Sequence, residues 1–242
     1  PSPLHDYEYT KNSLHRTHRW EKDSLDTHKK LELQKQYTDP QFNEYPYPHP
    51  QYLFGIPHGG CYEDLRVESA KYISSLDFAG YSVGGALGDT KKQMHQILDW
   101  INPHLEPSRP RHLLGIADID DLFEAIERGF DMFDCVTPTR IARNGALFIS
   151  PRNNGNKQNK FRLIIANSQY KNDPLPIDPG CACYTCQNFS RSYLRHLFMA
   201  KELLAYRLAT LHNLHFILRL TTAIRTAILN DQFPQLKKQW LE

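Results

Sequence analysis

The sequence predicts an α/β protein, and three observations carry that expectation. Four short apolar segments recur, and the first three each give way to a stretch with helical spacing of apolar residues. Such alternation builds a parallel sheet with helices on its outside. Residues with evident chemical potential fall just after those segments: His58, Gly84-Gly85, Gly115 and Asp134. That is the end of the sheet at which a (β/α)8 barrel keeps its active site. Finally, Cys181, Cys183 and Cys186 crowd into six positions beyond the fourth unit, where the strand–helix alternation has ceased.

In chain order, residues from Pro1 to about Lys30 read as coil followed by a polar helix. The Pro-, Tyr- and Gln-rich stretch from Tyr37 to Tyr52 resists both helix and central strand, and is expected to be a loop or insertion. Tyr52–Ile56 is a short buried strand stopped by Pro57. A helix from Asp64 to Leu76 follows, with Leu65, Ala70, Ile73 and Leu76 on one face. Phe78–Val83 is the second strand. Thr90 and Gln93 then have capping-box spacing ahead of a helix that buries Met94, Ile97, Leu98 and Ile101. His112–Ile116 is the third strand, and Asp118 suits the N-cap of a helix carrying Leu122, Phe123 and Ile126. Gly129 suits its C-terminal cap. The fourth strand is Met132–Val136, after which Pro138 opens a basic, turn-rich tail. Ala146–Ile149 and Phe161–Ile165 form a hairpin around a very polar loop, Arg152 to Lys160. Two helices, about 190–211 and 214–230, complete the chain. The first carries Leu194, Leu197, Phe198, Leu204 and Leu208 on one face, the second Phe216, Leu220, Ala223, Ile224 and Ile228.

Composition excludes some classes. With 242 residues, 40% hydrophobic and 23% charged, the chain has enough apolar material for one large domain, or one plus an appendage. A formal charge of +2 is too small to announce a nucleic-acid binder by itself, so any basic footprint must be local. No apolar run approaches the roughly 18 residues of a membrane helix, and no basic-then-apolar segment opens the chain. A cytosolic, membrane-free setting is the expectation. There, clustered cysteines point to metal, while Cys61 and Cys135 read as small buried residues.

The metal reading rests on spacing. Cys181-x-Cys183-x-x-Cys186 brings three thiolates within reach of one Zn2+ ion at about 2.3 Å each, and tetrahedral zinc requires a fourth ligand. His212 and His215 are the two candidates from spacing. Four protein ligands leave no open position, so the site would be structural.

Around the fourth strand the sequence runs Asp131-Met-Phe-Asp134-Cys-Val-Thr-Pro138-Thr-Arg140-Ile-Ala-Arg143-Asn-Gly145. A carboxylate inside a strand of this composition, usually buried on both faces, needs a partner or a chemical role. The plain structural role is a strand-end cap, with the arginines serving solubility. This wording, however, resembles the nucleophile strand and anticodon-binding loop of the tRNA-guanine transglycosylases (queuine tRNA-ribosyltransferases) of bacterial type. Tyr9, Ser13, Arg16, Arg19 and Trp20 resemble an earlier family motif, and further matches run to the carboxy terminus. The family's metal site includes a His-Asn pair, which implies His212-Asn213 and hence His212 as the fourth ligand.

The resemblance implies the C-terminal part of a (β/α)8 TIM-like barrel over residues 1–145. A hairpin plus helical zinc-binding subdomain would occupy 146–242, and the remaining barrel units are expected upstream. It implies Asp134 as nucleophile, forming a covalent aspartyl–ribosyl intermediate when the wobble guanine of a GUN-anticodon tRNA is exchanged for a 7-deazaguanine. Asp131, by alternation, would point to the opposite face. Base binding is implied for His58, Gly84, Gly85, Leu114 and Gly115, with His58 standing where the family has Gln and Ala86 following the glycines where it has Leu. Contact with the tRNA anticodon loop is implied for Gly115, Asp118, Thr139, Arg140, Arg143 and Asn144, and a homodimer is expected. Rival readings are a non-catalytic RNA-binding subunit of the same fold, a zinc-stabilised structural module, and a paralogue acting on guanine in DNA.

Overall fold

The computed structural model describes residues 5–34, 51–85, 87–116 and 118–242; most of the expected Pro- and Tyr-rich loop, and Ala86, lie outside them. The chain forms two compact units. One comprises residues 1–116 and 124–134, the other residues 117–123 and 135–242.

The first unit holds a four-stranded sheet in the order β1 (Phe54–Gly55), β2 (Gly80–Val83), β3 (Arg111–Leu114), β4 (Met132–Asp134). All pairs are parallel, with Phe54 beside Gly80, Tyr81 beside Arg111 and Leu114 beside Asp134. Helix α1 (Tyr7–Gln34) precedes the sheet, and α2 (Glu63–Ser75) and α3 (Lys91–Ile101) make two of the crossovers. The third crossover is α4 (Ile119–Glu127), ended by Gly129 at φ 87°. Expected core positions Leu65, Ala70, Ile73, Met94, Ile97, Leu98 and Ile101 are all buried. Each large apolar side chain removed from water contributes about 1.5–3 kcal/mol, so this shared face is what holds α2 and α3 on the sheet. Gly55 permits the close approach, since a Cβ there would lie 2.6 Å from Ile73 and Phe78 side chains.

Several local expectations are corrected. The first strand is two residues long, and Tyr52 is exposed outside it. The capping box is half made: the Thr90 hydroxyl accepts from the Gln93 N–H, but the Gln93 side chain accepts from the Asp89 N–H instead. β4 is not buried on both faces: Met132 and Asp134 are exposed. Cys61 and Cys135 are half-buried rather than core residues.

In the second unit, the segment expected to be turn-rich is a helix, α5 (Thr137–Arg143). Pro138 does not stop the chain there. It occupies the first helical turn, where a missing N–H costs nothing. Then come the antiparallel strands β5 (Ala146–Phe148) and β6 (Arg162–Ile164), with Phe148 opposite Arg162. Four helices follow: α6 (Tyr184–Asn188), α7 (Arg191–Met199), α8 (Leu203–Leu229) and α9 (Phe233–Leu241). The expected break near His212 is absent. The chain turns instead at Lys201, whose φ is 58°, and α8 then runs unbroken through His212 and Asn213. Both side chains are fully buried and their bonds go to β5, which is why two poor helix formers are tolerated there. Of the expected apolar faces, Leu194, Leu197, Leu208, Phe216, Leu220 and Ile224 are buried, whereas Leu204 and Ile228 are exposed.

Candidate active site and metal centre

Asp134 closes β4 at its C-terminal end, with a side chain 61% exposed. One carboxylate oxygen, Oδ1, is engaged twice: His112 Nε2 lies 3.1 Å away, and the Gly115 N–H donates to it at 3.3 Å. Oδ2 has no such partner among the described residues. The sequence reading missed His112. Register could have found it, because Leu114 sits beside Asp134 and His112, two residues earlier on β3, shares its face. Asp131 is differently occupied: its Oδ2 accepts from the Arg111 N–H at 2.8 Å, extending the β3–β4 ladder.

The residues expected to bind the base lie along the same strand ends. Leu114 packs on Gly84 so closely that a Cβ on Gly84 would sit 2.8 Å from Leu114 Cδ1. Gly85, at φ 74°, leaves open space in which the nearest side-chain atom to a built Cβ is His58 Nδ1 at 3.9 Å. Gly115, at φ 77°, has nothing within 4 Å of such a position. Backbone is thus exposed at Gly85 and Gly115, while Gly84 lies beneath Leu114.

The His58 loop is held from beneath. Arg66, buried, donates to the Gly60 and Pro57 carbonyls at 2.7 and 3.0 Å. The Ser69 hydroxyl accepts from the His58 N–H at 3.0 Å and bonds His18 Nε2 at 3.1 Å. Burial, then the nearby Arg66 charge, pushes the His58 imidazole down to about 4. At neutral pH it is therefore uncharged, offering one donor and one acceptor. Glu21 of α1 accepts from the Ile56 N–H at 3.1 Å, and burial raises its carboxyl to about 7.

In the second unit, Arg140 and Arg143 are exposed one turn apart on α5. Thr139 and Asn144 serve the helix itself, donating to the Val136 and Arg140 carbonyls at 3.1 Å each. Asp118 is engaged by Arg162 at 2.6 Å.

The metal-ligand candidates are brought together. Cys181, Cys183, Cys186 and His212 are all buried, with ligand atoms within 4.8 Å of one another. His212 Nδ1 lies 3.8, 3.5 and 3.3 Å from the three sulfurs in chain order. Its Nε2 donates to the Phe148 carbonyl at 2.8 Å, which leaves Nδ1 unprotonated and aimed at the thiols. The Cys186 N–H also donates to Cys183 Sγ at 3.3 Å, and contacts from the Cys181 and Cys186 thiols, in that order, pull the Cys183 thiol below its usual range. This donor set fits one tetrahedral zinc ion. His215 lies outside the cluster, with its Nε2 buried and without a hydrogen-bond partner. Beside His212, Asn213 accepts from the Phe148 N–H and donates to the Pro138 and Ala146 carbonyls, a structural residue whose part the sequence did not disclose.

A parallel α/β sheet with an exposed acid at a strand's C-terminal end, joined in one chain to a buried three-thiol, one-imidazole centre, defines a narrow class. The model of the family described as queuine tRNA-ribosyltransferase matches residues 1–242, and the chain belongs to that family. A relative in Archaeoglobus fulgidus is 47% identical over 240 residues, covering 99% of this chain and 55% of the relative. Queuine tRNA-ribosyltransferases of a Roseiflexus species and a Thermoanaerobacter species are each 44% identical, covering 99% and 98% of this chain and 57% and 56% of their own lengths. The chain thus spans little more than half of each relative. Among the described residues, no helix is long and apolar enough to cross a membrane.

Proposed function

We propose that the protein to which this chain belongs is a tRNA-guanine transglycosylase, exchanging the wobble guanine of a GUN-anticodon tRNA for a 7-deazaguanine. The observation that carries the reading is the state of Asp134 at an exposed strand end: one oxygen meets His112 and Gly115, and the other has no partner among the described residues. A nucleophilic carboxylate has to be arranged in this way, oriented by one oxygen and able to attack with the other.

In this mechanism Asp134 Oδ2 attacks C1′ of the target nucleoside. The C1′–N9 bond breaks and guanine leaves with its electron pair, taking up a proton. An ester joins the ribose to Asp134. The incoming base then attacks C1′ through N9, releases its N9 proton and frees the carboxylate. Two inversions give overall retention. The backbone at Gly84-Gly85 and Gly115 would accept the flat base, with neutral His58 at its edge. Arg140 and Arg143 would grip the anticodon loop, since a guanidinium can bond phosphate or a base edge with two N–H groups. The four units would form the C-terminal part of a (β/α)8 barrel. Zinc, held by Cys181, Cys183, Cys186 and His212, would lock the second unit's fold and take no part in the exchange.

The test is a trapped intermediate. The parent protein, stalled without incoming base, should carry tRNA through a bond that survives denaturing electrophoresis. Asp134→Asn should form no adduct and still bind tRNA, while Asp131→Asn should keep exchanging. Exchange by Asp134→Asn at the parent rate would defeat this mechanism.

A further inference from the structure

Between Asp134 and Asp173 the chain contains no acidic residue, yet it contains seven Lys and Arg side chains in a protein whose net charge is only +2. Six of these, Arg140, Arg143, Arg152, Lys157, Lys160 and Lys171, are exposed and make no ion pair with any described residue. The seventh, Arg162, is paired with Asp118. Arg140 and Arg143 are accounted for above. The other free cations belong to the loop between β5 and β6 and to the segment after it.

That loop is built, not slack. Asn156 and Asn159 cap each other, each side-chain oxygen accepting the other's backbone N–H at 3.0 and 2.9 Å, and both side-chain amides donate to the Asn154 carbonyl. Asn154, Lys160 and Phe161 all hold positive φ, a conformation this network maintains. Arg152, Lys157 and Lys160 are therefore displayed on a fixed frame, at low ordering cost on binding. Beside the loop lies a cleft of about 550 Å³ whose wall includes Arg152, Asn154, Asn159, Arg162, Tyr170 and Arg191. Two guanidinium Nε–H groups in that wall, of Arg162 and Arg191, are buried without a hydrogen-bond partner. Arg162 and Arg191 each also pair with a carboxylate, Asp118 and Asp173, that is not part of the wall. Their spare buried Nε–H donors beside unpaired Arg152 fit a ligand that brings acceptor oxygens.

We propose that the β5–β6 loop and its cleft are a second RNA contact, gripping the phosphodiester backbone independently of α5. The proposal rests on the tRNA substrate inferred above. A separate grip follows from the hairpin: α5 and Gly145 meet the start of β5, whereas the loop leaves its far end. Three strand residues at about 3.3 Å each put roughly 10 Å between them, too far to hold one phosphate.

The experiment is a salt titration of tRNA binding by the full-length protein. Arg152→Gln, Lys157→Gln and Lys160→Gln combined should weaken binding at least about tenfold near physiological salt. The slope of log affinity against log salt should become shallower by about two to three, roughly one for each phosphate contact removed. Arg152→Lys, Lys157→Arg and Lys160→Arg combined keeps the charges and should match the parent. A triple-Gln protein with the parent's affinity and slope overturns the second contact, while a loss in Arg140→Ala/Arg143→Ala alongside it would leave the proposed function standing. A parent protein without salt-dependent tRNA binding overturns both.

Discussion

At the scale of the residue, the two contacts on Asp134 Oδ1 would, in the proposed mechanism, leave Oδ2 as the attacking oxygen. Removing the polar neighbour of Oδ1 with His112→Phe should slow ribosyl-adduct formation about 10-fold, the equivalent of one polar contact to the carboxylate. His112→Gln, which offers an N–H donor, should recover most of that rate, and single-turnover adduct kinetics separate the two variants. Glu21 gives a pH-dependent counterpart in stability. Its folded-state value of about 7 lies above the unfolded value, so between those values the folded state binds more protons. The contribution is thus fully present below the unfolded value and is lost as pH rises through about 7. Melting temperatures of the parent should fall across that window relative to those of Glu21→Gln, which carries no such proton. Parallel curves for the two proteins would show that Glu21 ionises freely in both states.

At the scale of the element, α8 joins the candidate metal-ligand group to the hairpin through two successive residues. His212 holds the Phe148 carbonyl and Asn213 holds its N–H, so one strand residue is clamped at both ends. Asn213→Ala should destabilise the protein by about 2–4 kcal/mol, because it strands buried backbone groups of β5 and α5 as well as deleting bonds. Denaturant titration measures this, and zinc content should be retained. His212→Ala and Cys183→Ser should lower both zinc content, by elemental analysis, and thermal stability. These elements also show what was legible in advance. The parallel sheet and the core face of α3 could be read because period and burial agree there. The sulfur cluster could be read because ligand spacing is local. α5 could not, because Pro138 serves equally to stop a strand or to open a helix, and only the downstream contacts decide. The continuity of α8 was hidden for a similar reason: His212 and Asn213 look like a break until their buried partners on β5 are known. His112 needed the register between strands, which no single segment contains.

At the scale of the whole molecule, charge is distributed more tellingly than its total suggests. A near-neutral chain places seven cations and no carboxylate between Asp134 and Asp173, so whole-chain charge conceals a local field. The metal centre has a wider consequence as well. Three sulfurs within 4.8 Å of one another are stable neighbours while an ion separates them, and reactive neighbours once it leaves. Chelation under reductant should be reversible, with stability restored when zinc is returned. Chelation in the presence of peroxide should instead couple two of the thiols, leave the protein lighter by two hydrogens in intact mass, and prevent zinc from restoring it. If zinc occupies this group, the centre beside α8 would also act as an oxidation fuse, and the second unit's fold would survive metal loss only where thiols stay reduced.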